Sequence, residues 1–300
     1  MKNYIVFDIG GSSVKWSIML ENGDILKKDK IEIAKDADEF FYRLIEKVHE
    51  NEIEYNLKGI ALSSPGAVDS DSGIVGGASA ISYIHGPNFK NILKEATGLE
   101  VAIENDANCA ALGECWIGSA KEAKDCAFVV CGSGIGGAIV KDKAIHKGVN
   151  KHGGEFGYCI VEYDDKLDGK YLTWSEVGST RALANNIAIR KGLAEDEIDG
   201  VKAFELYDNN DKIAVEEIEK YFRYMAIGIY NIQYTFDPEV IVLGGAISER
   251  EGYIENIKEK LDEILKKNPD GKIRPIIKKC VYGNDANMIG ALYNLIKSDN

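Results

Sequence analysis

The reactive residue types in this sequence are carboxylates and glycines at the ends of apolar runs. Asp8 closes the run Tyr4–Phe7 and is followed by Gly10, Gly11, Ser12 and Ser13. A second run, Cys126–Cys131, ends in Gly132-Ser133-Gly134-Ile135-Gly136-Gly137. Glycine has no Cβ, so such turns bring backbone N–H groups close to phosphate oxygens. An aspartate beside a turn of this kind is placed to hold Mg2+ or its waters, because that ion takes oxygen ligands and keeps several waters. The plainer reading of Asp8 is a turn-forming residue, and either glycine turn alone reads as a tight hairpin. Two such turns facing one another would grip a polyphosphate from both sides. A third carboxylate, Asp106, stands in Glu104-Asn105-Asp106-Ala107-Asn108, after a strand-like run and before small residues of helical character. Taken alone, Asn105-Asp106 is most often a helix N-cap.

These residues need elements to hold them. Tyr4–Phe7 and Val14–Leu20 read as strands on either side of the first glycine turn, with Glu21-Asn22-Gly23-Asp24 turning the chain again. Phe40, Phe41, Leu44, Ile45 and Val48 recur three and four apart, which predicts an amphipathic helix over 37–50. Leu57–Ser63 is the next strand, ending at Ser64-Pro65-Gly66. After a glycine-rich loop at 73–80, a helix at 89–97 and a strand at 99–103 lead to Asp106 and a helix over 107–116. From Cys126 the first pattern returns as strand, glycine turn and strand, which predicts an internal duplication. Helices are expected at 179–191, 201–208, 212–235, 253–267 and 285–297, with strands at Val240–Leu243 and near 273–280.

A chain of 300 residues is about twice the usual domain length, so two domains are expected. No apolar stretch approaches the roughly 20 residues of a membrane span. The N-terminus carries neither a secretory apolar core nor a cleavage site, which predicts a cytoplasmic protein. The six cysteines form no C-x-x-C pair and sit mostly in apolar runs, as reduced core residues do. A net charge of −13 disfavours nucleic acid and anionic membrane as partners and leaves a small molecule as the expected one.

In this order the motifs resemble one family. Asp8-Ile-Gly-Gly-Ser-Ser13, Ser64-Pro-Gly-Ala-Val-Asp69, Glu104-Asn-Asp-Ala-Asn108, Gly132-Ser-Gly-Ile-Gly-Gly137, Gly153-Gly-Glu-Phe-Gly157 and Leu243-Gly-Gly-Ala246 together are similar to the ROK-family sugar kinases, over nearly the full length. The resemblance implies an α/β fold of the two-domain, actin-like ATPase (ribonuclease H-like) type with a cleft between lobes. The lobes are expected at 1–117, with a C-terminal helix near 285–300 packing back, and at 118–284, sharing a hinge near 115–125. It also implies ATP and Mg2+ as cofactors, a hexose as substrate and a homodimer as the assembly. Asp106 becomes the general base that takes the sugar hydroxyl proton, and Asn105 bonds a neighbouring hydroxyl. Gly66, Glu155, Tyr158 and Glu176 join the sugar site, Glu176 by a less secure alignment. Asp8, Gly10, Gly11, Ser12, Ser13 and Lys15 meet the nucleotide phosphates from one side. Gly132, Ser133, Gly134, Gly244 and Gly245 meet them from the other.

The sequence departs from the family pattern at one place. Many members carry a histidine where Tyr158 stands, then a cysteine-rich segment, and bind a structural zinc there. Here no cysteine lies between Cys159 and Cys280, so no zinc site is expected. Packing by Tyr158, Tyr171 and Trp174 is expected to order the segment instead. This places the chain nearest the zinc-free β-glucoside kinase and glucokinase-like members, with phosphorylation of the 6-hydroxyl of glucose or a β-glucoside expected. N-acetylmannosamine kinase is the alternative. A sugar-binding transcriptional regulator is disfavoured by the charge and by a first strand starting at Tyr4, and a catalytically dead sensor by the presence of both Asp8 and Asp106.

Overall fold

A computed structural model describes residues 1–165 and 169–298. The chain divides into two units, Met1–Lys121 with the segment from Asn284, and Glu122–Gly283. The first unit begins with β1 (Asn3–Ile9), β2 (Ser13–Leu20) and β3 (Ile25–Glu32), followed by α1 (Ala37–Tyr55) and β4 (Leu57–Ser64). A small hairpin of β5 (Ala67–Asp69) and β6 (Ile74–Gly76) precedes α2 (Phe89–Thr97), β7 (Glu100–Asn105) and α3 (Asp106–Trp116). The second unit holds β8 (Cys126–Cys131), β9 (Ile135–Lys141), β10 (Ala144–Ile145), β11 (Ile160–Asp164) and β12 (Lys170–Thr173). It continues through α4 (Trp174–Gly178), α5 (Thr180–Arg190), α6 (Gly200–Asp208), α7 (Lys212–Phe236), β13 (Val240–Gly244), α8 (Tyr253–Lys267) and β14 (Ile277–Lys279). The last helix, α9 (Ala286–Ser298), belongs to the first unit.

Each unit is built on a five-stranded sheet, in the orders β3-β2-β1-β4-β7 and β10-β9-β8-β13-β14. In both, the leading strand pairs antiparallel with the strand after its glycine turn and parallel with a later strand on its other side. The two orders are the same, so the repeated strand–turn–strand pattern in the sequence is a repeat of topology.

The strands that carry the glycine turns are central and covered. β1 is buried from Tyr4 to Ile9, as expected of a strand with neighbours on both sides and helices against its faces. β3 lies at the edge and exposes Lys27, Lys28 and Lys30, which discourages pairing with another chain. This strand is absent from the sequence reading because a charged edge strand lacks the apolar alternation that marks the others. α1 starts at Asp36, whose side chain accepts from the Glu39 N–H, and buries Phe40, Phe41, Leu44 and Val48. Phe41 and Phe89 meet edge to face at 4.9 Å, joining α1 to α2 over the sheet.

α9 packs on α3 at backbone distance. A Cβ on Gly290 would lie 1.6 Å from the Cys109 carbonyl oxygen, so only glycine permits this approach. In the second unit, Trp174 is fully buried, and its indole occupies the space that a Cβ on Gly228 of α7 would take, at 2.2 Å. The strand expected near 273–280 is confined to Ile277–Lys279, where β13 offers parallel partners. The zinc-free segment forms the β11–β12 hairpin; residues 166–168 of that segment, and residues 299–300 of the expected C-terminal helix, lie outside the described residues. Among the described residues no helix is long and apolar enough to cross a membrane.

Candidate functional site

Two sets of candidate residues emerge, one in each unit. In the first, Asp8 ends β1 at 5% exposure. Its Oδ1 accepts from the Ser63 hydroxyl at 2.9 Å and from Asn287 Nδ2 at 3.1 Å. Its Oδ2 meets the half-exposed Lys15 ammonium at 3.4 Å. One oxygen is anchored and the other faces a flexible cation, an arrangement that fits a Mg2+ ion held through one carboxylate and waters.

The turn after Asp8 is more self-contained than expected. The Gly10 N–H donates to the Ser13 carbonyl at 3.0 Å and is spent within the turn. Gly11 and Ser12 form its exposed tip.

Asp106 opens α3. Its Oδ1 accepts from the Ala107 N–H at 2.8 Å, and burial pushes its pKa up, with the negative charge of nearby Asp8 adding to the rise. Asn105 is the N-cap, its Oδ1 accepting from Ala107 and Asn108 at 3.0 and 3.2 Å. Its Nδ2 donates to the Gly66 carbonyl at 3.1 Å. The expectation that Asn105 is free to bond a substrate hydroxyl is therefore narrowed to the second hydrogen of Nδ2.

Glu104 is 2% exposed and accepts from the Asn105 N–H at 2.9 Å, Asn108 Nδ2 at 3.0 Å and the Ser70 hydroxyl at 2.7 Å. It fixes the junction at which Asp106 begins. Ser63 and Asn287 support this cluster and were not singled out in the sequence, and Glu104 was quoted there only as part of the motif. The Asn108 to Glu104 bond joins residues four apart in the chain, from the first turn of α3 back to the end of β7. The Asn287 to Asp8 bond crosses most of the chain and carries no local signal.

In the second unit, the ends of the parallel neighbours β8 and β13 bring two glycine sets together. The Gly132 N–H donates to the Gly134 carbonyl at 2.9 Å, so this expected phosphate donor also closes its own turn. The Gly132 carbonyl accepts from the Thr180 N–H at 3.0 Å and hydroxyl at 2.6 Å. Ser133 is exposed at the tip. Gly245 has φ +91°, and a Cβ there would lie 2.1 Å from the Cys131 carbonyl oxygen. Gly244 is buried against the Phe128 ring. Behind this corner the Cys131 thiol, Tyr221 and Tyr253 hydroxyls form a buried chain at 3.3 and 2.8 Å. Burial pushes the pKa of Cys131 up and those of the two tyrosines well up, so all three remain neutral donors and acceptors.

The remaining candidates also lie in the second unit. Glu155 is exposed and precedes a 3-10 turn, Phe156–Tyr158. Tyr158 is 73% exposed, so it does not supply the packing expected of it. Trp174 is buried, and Tyr171 contacts Tyr163 across the hairpin with ring centroids 4.9 Å apart. Glu176 is engaged in structure: it closes a capping box with Thr173 at the start of α4 and pairs with Lys170 at 2.8 Å. Those hydrogen bonds, with Lys170 foremost, lower its pKa to about 2.

Known proteins resemble this chain in sequence and fold. A model of the ROK family matches residues 4–298. A β-glucoside kinase from Listeria innocua is 34% identical over 296 residues, covering 98% of this chain and 97% of its own. A solved ROK family protein from Streptococcus pneumoniae, in complex with sucrose, is 33% identical with a TM-score of 0.91 over 99% of both chains. A putative N-acetylmannosamine kinase from Listeria monocytogenes is 32% identical with a TM-score of 0.86, over 99% of this chain and 100% of its own.

Proposed function

The chain belongs to the ROK family and is a sugar kinase, and from that premise we propose that it transfers the γ-phosphoryl group of ATP to the 6-hydroxyl of glucose or a β-glucoside. The observation that carries the reading is Asp106, a partly buried carboxylate at a helix start, with its pKa raised by desolvation and by the charge of nearby Asp8. A base with a raised pKa holds a proton more strongly than an ordinary aspartate. Phosphoryl transfer asks little covalent help of the protein and much positioning. Asp106 takes the hydroxyl proton as the oxygen attacks, and Asn105 and Gly66 orient the ring beside it. Glu155 and Tyr158 of the second unit contribute to the sugar site, and Glu176 acts as a helix cap. Asp8 would hold Mg2+, which when bound supplies charge neutralisation at the phosphates. The exposed residues Gly11, Ser12 and Ser133, with the partly buried Gly134 and Lys15, are the remaining phosphate contacts. All six cysteines are reduced thiols and five are buried, as suits the reducing cytoplasm.

The similarity to a β-glucoside kinase over nearly the whole chain supports the glucoside acceptor. The similarity to a putative N-acetylmannosamine kinase supports a second acceptor. A coupled assay for ADP release with glucose, cellobiose and N-acetylmannosamine at equal concentrations separates them. The expected order of kcat/KM places cellobiose or glucose first. A preference for N-acetylmannosamine would replace the glucoside assignment.

A further inference from the structure

We infer that His85 is a positioning residue for the acceptor sugar, holding the segment from Gly76 to Ala80 as a wall beside Gly66. The inference rests on the reading that the sugar sits against Gly66, Asn105 and Asp106. Gly66 has φ +99°, and a Cβ built on it would lie 2.9 Å from the Gly76 carbonyl oxygen and 3.1 Å from His85 Cε1. The imidazole is thus packed directly behind the glycine whose carbonyl accepts from Asn105. Its Nδ1 donates to the Gly76 carbonyl at 3.2 Å, and its Nε2 lies 2.9 Å from the Ser79 hydroxyl. A carbonyl can only accept, so Nδ1 carries hydrogen, and in the neutral ring Nε2 accepts from Ser79.

One side chain therefore ties the end of β6 to the loop that follows it. That loop needs a tie. Gly77 has φ +78°, and Gly77, Ala78 and Ala80 are exposed, so little packing holds it. Its far end reaches the phosphate side: Ala80 Cβ lies 3.4 Å from the position a Cβ on Gly11 would take. The loop spans from the sugar residue Gly66 to the glycine turn that follows Asp8, and His85 sets its course without itself touching the reacting atoms. A sugar is oriented by walls fixed before it arrives, because a mobile wall must be ordered at the expense of binding.

Steady-state kinetics with sugar and ATP varied in turn test this. His85→Asn keeps a donor for the Gly76 carbonyl and loses the Ser79 partner; the lost hydrogen bond is expected to raise the sugar KM about three- to tenfold. His85→Ala is expected to raise it further, with the ATP KM rising less than the sugar KM in both, since the His85 hydrogen bonds are made at Gly76 and Ser79 and not at the Ala80 end beside Gly11. Ser79→Ala removes the same bond, so the double variant Ser79→Ala/His85→Asn is expected to match the worse single variant. An unchanged sugar KM in both folded His85 variants would overturn the inference. So would additive losses in the cycle, or equal rises in both KM values with a fall in melting temperature, the signature of general loosening. Asn105→Ala serves as the control: if it leaves the sugar KM unchanged, the placement of the sugar fails, whatever the His85 variants do.

Discussion

Asp106 tests the chemistry most directly, because a base can be removed without removing its shape. Asp106→Asn keeps the size and one acceptor for the Ala107 N–H but accepts no proton at neutral pH. General-base catalysis contributes about 10² to 10⁴ in rate, so kcat is expected to fall by that factor with the sugar KM little changed. A variant retaining more than about a tenth of wild-type kcat would assign the base elsewhere. The wild-type pH profile carries the same information with a definite sign. The base must be ionised to act, and its folded pKa is raised by burial and by Asp8. Activity is therefore lost, as pH falls, at a midpoint above the ordinary aspartate value of about 3.9. An acid limb of kcat/KM at or below that value would contradict the environment assigned to Asp106. At this scale the sequence was readable where chemistry is local. Asp8, Asn105, Gly66 and Asp106 stand in short motifs and lie in one unit. Ser63, Asn287 and His85 were not singled out, because their partners are set by folding and not by neighbours in the chain.

At the scale of elements, Glu176 has a structural task beside the sugar-binding role that the resemblance implies. A carboxylate three residues into a helix whose N-cap is threonine has a local task, and Thr173 and Glu176 perform it reciprocally. The Lys170 pair is solvent-exposed and adds little. Glu176→Ala is expected to cost about 1 kcal/mol through the lost cap, lowering the melting temperature by a few degrees at most. Glu176→Gln keeps the capping pattern and is expected to melt near wild type. Both should leave the sugar KM within about twofold, since no contact in the acceptor set is touched. A large rise in KM for Glu176→Gln would return Glu176 to the sugar site. The helices from 253 and 212 were legible because apolar residues recur at helical spacing; β3 was not, because an edge strand of Lys and Asp carries no apolar period. The β11–β12 hairpin was hidden for a similar reason: its tyrosines point to solvent and do not alternate with a buried set.

For the whole molecule the informative fact is the repeat. A strand, glycine turn and strand at Asp8 and again at Gly132 gave two sheets of one topology, so the duplication was visible in sequence before any contact was. The consequence is a division of labour: Asp106, Asn105, Gly66 and Asp8 belong to one unit, and Gly132, Gly245 and Glu155 to the other. In-line transfer requires the hydroxyl and the γ-phosphate to meet at near-contact distance, and the residues proposed for the two ligands come from both units. If each ligand is gripped by both units, the first to bind bears part of the ordering that the second needs, and the two binding free energies are coupled. The accepted sugar is therefore expected to raise the affinity for a non-hydrolysable ATP analogue, and by linkage the analogue must raise sugar affinity by the same factor, about five- to 150-fold for couplings of ordinary size. Calorimetric titrations in both orders measure the two factors, and small-angle scattering with both ligands should report a smaller radius of gyration than with neither. The same ordering excludes water as a competing acceptor, so ATP hydrolysis without sugar should be slow relative to transfer. Independent affinities together with an unchanged radius at saturation would show that the units do not share the substrates, and the assignment of phosphate contacts to both glycine turns would fall with that result even if Asp106 proved to be the base.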